Sequence, residues 1–188
     1  MEKVALNNVQ LDHLAKADPM LKPFFFGTVA CDQLPSKPCK DKPRGYIVNT
    51  DPAELPGRHW IALWTEGNMC EVMDSYALPL DVYQTTAPLQ AWLKTHWKDV
   101  IRNGQSLQSL FSQSCGDYTL MYLKAKARQQ SIQAFVNQFS KHNYVGNDHL
   151  VGQMLKCAIA CELKWPHVCK QPHKQSVVRS GNGVRHLL

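Results

Sequence analysis

Two runs of strand-forming residues separated by a three-residue turn constrain the chain most. His59-Trp-Ile-Ala-Leu-Trp-Thr65 is rich in β-branched and aromatic residues, Glu66-Gly67-Asn68 is a turn signal, and Met69-Cys-Glu-Val-Met-Asp74 follows as a second run. Such a pair folds back on itself as an antiparallel hairpin. His59 opens the first strand and Asp74 closes the second, so both finish at one edge of the sheet, within hydrogen-bonding reach.

A second constraint lies downstream. The polar loop Gln108-Ser-Leu-Gln-Ser-Leu-Phe-Ser-Gln-Ser runs into Cys115-Gly116 and then into an apolar helical pattern carrying Leu120, Met121 and Leu123. Unpaired backbone N–H groups at a helix start favour negative charge, so a thiol there is pushed toward the nucleophilic thiolate. Gly116 would let the chain turn and a substrate backbone approach. A small buried cysteine at the start of an ordinary core helix is the plain alternative.

The remaining pattern predicts helices at 8–22 (N-cap Asn8, interrupted near Pro19), from Thr86 to Asn103-Gly104, from Cys115 to about Arg128, from Ser131, and a last one capped by Asn147-Asp148. Phe24-Phe-Phe26-Gly27 reads as a buried aromatic cluster, Tyr46–Thr50 as a strand, and 31–44 as a proline-rich loop. The expected class is α+β, a small central mostly antiparallel sheet flanked by helices. One domain over 1–165 and a basic, flexible tail over 166–188 are expected.

Composition excludes some classes. No apolar run approaches a membrane span, and the N-terminus, with Glu2 and Lys3, carries no signal-peptide core, so an intracellular protein is expected. Seven cysteines at irregular spacings argue against a disulfide framework. Cys157, Cys161, His167 and Cys169 lack a standard zinc spacing, and the first two fall among apolar positions, so no metal is expected. The net charge of +6 concentrates in Lys37–Arg44 and Lys164–Arg185, which would attract a polyanion such as DNA without reading its sequence; solvated segments are the alternative.

A thiol protease needs a nucleophile, an imidazole to take its proton, a group to orient that imidazole, and donors for the oxyanion. Cys115, His59, Asp74 and a glutamine upstream of the cysteine supply them, with Gln108 and Gln113 as candidates. In the order Gly45-Tyr-Ile-Val-Asn-Thr50, Gly57-Arg-His59-Trp60, Asp74-Ser-Tyr76, Gln108 and Cys115-Gly116, the chain resembles the adenain family, cysteine proteases of adenoviruses and of Polinton/Maverick-type elements, in the same clan as the SUMO-specific proteases. Leu11 to Pro35 is similar to the opening of adenoviral members, and Asn147-Asp148 to a segment of the Polinton branch. The likeness covers roughly residues 10 to 160.

The resemblance implies His59 as general base, Asp74 as orienting acid and Cys115 as nucleophile. The family's seven-residue spacing selects Gln108 over Gln113, and Trp60 is expected to pack on the imidazole. It also implies a maturation endopeptidase that cleaves structural precursors near small residues such as Gly, acts as a monomer without a required cofactor, and is stimulated by DNA. A virion and host nucleus would be its location if viral. Activation through a disulfide-linked peptide is not implied, because no cysteine lies between Cys70 and Cys115, and Asp117 departs from the family's apolar residue. The rival readings are a ubiquitin- or SUMO-type deconjugating protease and a basic nucleic-acid-binding module.

Overall fold

The computed structural model describes residues 5–164. Five strands form one sheet in sequence order: β1 (Phe25–Ala30), β2 (Arg44–Asn49), β3 (Trp60–Glu66), β4 (Met69–Met73) and β5 (Asp99–Arg102). The helices are α1 (Asn8–Ala17), α2 (Ala87–His96), α3 (Cys115–Ala127), α4 (Ile132–Val136) and α5 (Tyr144–Lys164), with a 3-10 turn at Leu80–Tyr83. The class is α+β.

The sheet is mixed rather than mostly antiparallel. β2, β3 and β4 pair antiparallel as the hairpin spacing predicts, but β1 joins β2 and β5 joins β4 in parallel. Both edge strands correct the sequence reading. Phe25 and Phe26 split between the two faces, one buried and one exposed, as successive residues of a strand must. The helix expected to reach Asn103 ends at His96, where Trp97 turns extended (φ −122°, ψ 130°) and its N–H bonds back to Leu93 O. The β-branched pair Val100-Ile101 then aligns with Cys70 and Glu71 of β4.

Alternation along the strands divides the core in two. Ile47, Ala62, Trp64 and Met73 face α1, α3, α4 and α5, meeting Leu11, Tyr118, Leu123 and Phe135. Tyr46, Val48, Ile61, Leu63 and Val72 face the other way, onto Leu89, Trp92, Leu93 and Trp97. Helix α3 is buried on nearly all sides because the sheet covers one face while α1 and α5 cover the others. A buried ion cluster locks its C-terminal end: Asp18, just past α1, accepts from Lys124 Nζ (3.1 Å) and Arg128 Nη1 (2.9 Å).

Capping differs by one or more residues from the sequence reading. Asn7, not Asn8, caps α1, its side chain accepting from Gln10 N while Gln10 bonds back to Asn7 N. Asn143 caps the start of α5, accepting from Gly146 N (2.9 Å), so Asn147 and Asp148 lie inside that helix with other tasks.

Candidate active site

The hairpin does what its spacing predicts. His59 immediately precedes β3, Asp74 immediately follows β4, and the register Ala62↔Met73 brings both to one end of the sheet. His59 Nε2 and Asp74 Oδ1 lie 2.8 Å apart, with 5% and 1% of the side chains exposed. Asp74 leaves ring nitrogen Nδ1 unused, and the Cys115 thiol acts on the same imidazole. Burial by itself would lower the His59 pKa, but the Asp74 hydrogen bond and the Cys115 sulfur outweigh it and raise it to about 9. Burial pushes the Asp74 carboxyl up, yet the imidazole and the Tyr83 hydroxyl hold it below its ordinary value.

Two tyrosines complete this pair. The imidazole stacks with Tyr76 (ring centroids 4.8 Å apart, 25° between planes) and with Tyr83 (5.3 Å, 15°). Trp60, expected in that place, donates its indole N–H to Leu6 O (3.2 Å) and lines a neighbouring cleft. Tyr83 also donates to Asp74 Oδ2 (2.6 Å), and the backbone N–H groups of Tyr76 and Leu78 donate to the same carboxylate. Asn103 fixes the Asp74 backbone from both sides, accepting from its N (2.9 Å) and donating to its O (2.7 Å). In the sequence Asn103-Gly104 reads as a helix stop, and nothing in the local pattern marks Tyr83.

Cys115 is the first residue of α3, as expected, and is 8% exposed. Gly116 has ordinary helical backbone; a Cβ there would sit 3.3 Å from both Leu6 and Leu11, so any larger residue would have to push these neighbours aside by a few tenths of an ångström. The close approach comes from the chain's own N-terminal segment, not from a sharp turn. Asp117 is buried in the first turn of α3, where helix amides favour a carboxylate, close to Gly152 of α5.

Gln108 is buried at the site, whereas Gln113 is exposed and accepts from Ala5 N (3.1 Å). The Gln108 Oε1 accepts from Ser75 Oγ (2.6 Å), and Nε2 gives one hydrogen to Ser112 O (2.9 Å). An amide nitrogen carries two hydrogens, and Ser112 O takes one of them. Ser75 O in turn accepts from Leu107 N (2.8 Å) and Gln108 N (3.1 Å), which ties the glutamine loop to the residue after Asp74.

Beside Cys115 opens a cleft of about 500 Å³, walled by the N-terminal segment at Leu6, by β1 at Thr28, and by Asn49, Leu55, Arg58 and Trp60. Thr28 Oγ1 is a buried hydroxyl oxygen with no hydrogen-bond partner. Arg58 at the rim is held by Asp51 (2.7 Å).

The other expected features fall elsewhere. No group of three or more possible metal ligands occurs among the described residues. Cys157 and Cys161 are exposed on α5 rather than in the core, while His167 and Cys169 lie outside the described residues, as does the 166–188 segment. The six described cysteines are all unpaired. No described helix is long and apolar enough to cross a membrane.

No family model and no curated protein matches the sequence. Among solved structures the chain is similar to the ASFV pS273R protease, with a TM-score of 0.47 and 19% identity over 78% of this chain and 67% of that one. A Se-Met form of the ASFV pS273R protease gives 0.35 and 24% over 61% and 45%. The SUMO protease Ulp1, with its catalytic cysteine oxidised to a sulfinic acid, gives 0.41 and 15% over 84% and 80% of the two chains.

Proposed function

We propose that the protein is a cysteine endopeptidase with Cys115 as nucleophile, His59 as general base and acid, Asp74 as orienting carboxylate and Gln108 as oxyanion donor. The observation that carries this reading is the buried imidazole that holds Asp74 on Nε2 and whose pKa, despite burial, is raised by Asp74 and by the Cys115 thiol, the first residue of a helix. The Cys115 sulfur attacks the peptide carbonyl carbon, its proton having passed to His59. Negative charge on the carbonyl oxygen is met by the second hydrogen of Gln108 Nε2 and by the Cys115 backbone N–H. As the intermediate collapses, the C–N bond breaks and His59 delivers its proton to the leaving amine. Water, deprotonated by His59, then attacks the thioester and restores the thiol. Substrate, water and these side chains account for every proton and electron pair, so no cofactor is required.

The cleft beside Cys115 takes the substrate chain, and the family resemblance adds a preference for small residues such as Gly and a role in maturing structural precursors, by a monomer in a virion and host nucleus or otherwise inside a cell. The exposed lysines Lys37, Lys40 and Lys42 support sequence-independent contact with DNA as a stimulating polyanion. The test is hydrolysis of a fluorogenic Gly-containing peptide compared with a ubiquitin-fold conjugate, with Cys115→Ala as control. Faster turnover of the peptide is expected; turnover of the conjugate alone would replace maturation by deconjugation.

A further inference from the structure

The two peptide units that flank Gln108 are gripped from behind by one helix, far in sequence from the other site residues. Leu107 O accepts from Asn147 Nδ2 (3.0 Å), and Ser109 N donates to Asp148 Oδ2 (3.2 Å). The Tyr118 hydroxyl, on the first turn of α3, shares its one proton between Leu107 O (3.2 Å) and Asp148 Oδ1 (3.1 Å). Asn147 is itself immobilised: it is 3% exposed, its second amide hydrogen goes to Ser140 O (2.8 Å), and its Oδ1 accepts from Ser140 N (2.8 Å). Neither Asn147 nor Asp148 lines the cleft.

We infer that Asn147 and Asp148 of α5 are positioning residues that set the reach of Gln108, through the carbonyl before it and the amide after it, toward the oxygen that becomes charged. This rests on the protease reading above. The buried side chain of Gln108 is hydrogen-bonded at its tip by Ser75 and Ser112, and Ser75 O also takes the N–H groups of Leu107 and Gln108, which leaves the carbonyl before Gln108 and the amide after it to α5. An oxyanion donor acts only if its nitrogen stands about 2.7–3.1 Å from the position the charged oxygen will take, with a tolerance of about 0.5 Å, so the backbone that carries it must be fixed independently of substrate. Asp148 also links that loop to Tyr118, three residues after the nucleophile, so the donor and the sulfur are held to one frame.

Asn147→Ala removes three hydrogen bonds of a buried side chain and risks the fold, so Asp148 carries the test. On a fluorogenic Gly-containing peptide, Asp148→Ala should lower kcat about tenfold with KM nearly unchanged, as a displaced catalytic group does. Asp148→Asn, which keeps an acceptor for Ser109 N, should recover most of that loss. In a Gln108→Ala background the same Asp148→Ala change should cost less than about twofold, because the group it positions is gone. In alkylation the sulfur attacks the saturated carbon of iodoacetamide and displaces iodide, with no oxyanion formed, so Cys115 should alkylate at the wild-type rate in Asp148→Ala. An equal tenfold loss in both backgrounds, a rise in KM alone, or slowed alkylation would overturn the inference while leaving the protease reading in place. Peptide hydrolysis that survives Cys115→Ala would overturn both.

Discussion

The Tyr83 hydroxyl donates a 2.6 Å hydrogen bond to Asp74 Oδ2, on the carboxylate oxygen that His59 does not use. One ring thus shields the imidazole and steadies its partner. Tyr83→Phe keeps the ring and removes the donor, a hydrogen bond to a charged group worth about 1.5–3 kcal/mol. Without it the Asp74 carboxyl protonates at higher pH, so the acid limb of the pH–rate profile should move up. Tyr83→Ala should in addition lower the rate at neutral pH, since the imidazole loses one of its two covers. An acid limb unmoved in Tyr83→Phe would show that the hydroxyl does not tune Asp74.

Asp74 itself should be damaging but not fatal to replace by Asn, because an amide still bonds to the ring while no longer stabilising its charged form. Asp74→Ala should be worse. Glu71 cannot substitute: it is engaged by Tyr122 and by Lys126 Nζ (2.9 Å). Comparable kcat for the Ala and Asn variants would contradict the orienting role.

His59 links the site to stability. Its folded pKa of about 9 lies above the ordinary value of 6.5, so the fold binds the imidazolium more tightly than the unfolded chain does. That stabilisation is fully present below about pH 6.5 and is lost as pH rises through about 9. Urea midpoints of wild type and His59→Ala, measured at pH 6 and pH 10, should differ more at the lower pH. An equal difference at both would mean that His59 is not charged in the folded protein.

The two glutamines should separate cleanly. Gln108→Ala should lower kcat by roughly tenfold to a thousandfold, as loss of an oxyanion donor does, whereas Gln113→Ala loses only an exposed bond to Ala5 N. The reverse ranking, read from kcat on one peptide, would put the donor at Gln113.

DNA contact should be sequence-independent and should weaken steeply as salt rises from about 50 to 200 mM. Fluorescence anisotropy with labelled duplex, on the full chain and on a chain ending near Trp165, measures the part played by the basic C-terminal segment. Equal affinity for both would leave Lys37–Arg44 as the contact, and no binding by either would remove DNA from the account.

The features legible in the sequence are those set by local chemistry. The β3–β4 hairpin and the start of α3 depend on a turn signal and on a change of hydrophobic period, and both stand where those signals put them. β1 and β5 were missed because parallel pairing joins segments distant in sequence, and Val100-Ile101 reads equally well as the end of a helix. Tyr83 and Asn103 reach Asp74 across 9 and 29 residues, and Asn147 reaches Leu107 across 40, so no periodicity could announce them. Trp60 follows His59 directly, but successive strand residues point to opposite faces, and the stacking rings come from Tyr76 and from Tyr83 in the 3-10 turn after β4.

The central claim is that Cys115 is activated by His59 for attack on a peptide carbonyl. The most direct measurement is hydrolysis of a fluorogenic Gly-containing peptide by wild type, Cys115→Ala and His59→Ala, with mass-spectrometric timing of iodoacetamide labelling at each cysteine. Turnover by wild type alone is expected, with both variants folded and Cys115 the thiol that labels first, more slowly once His59 is removed. Turnover by Cys115→Ala, or labelling of Cys115 that is indifferent to His59, would contradict that claim.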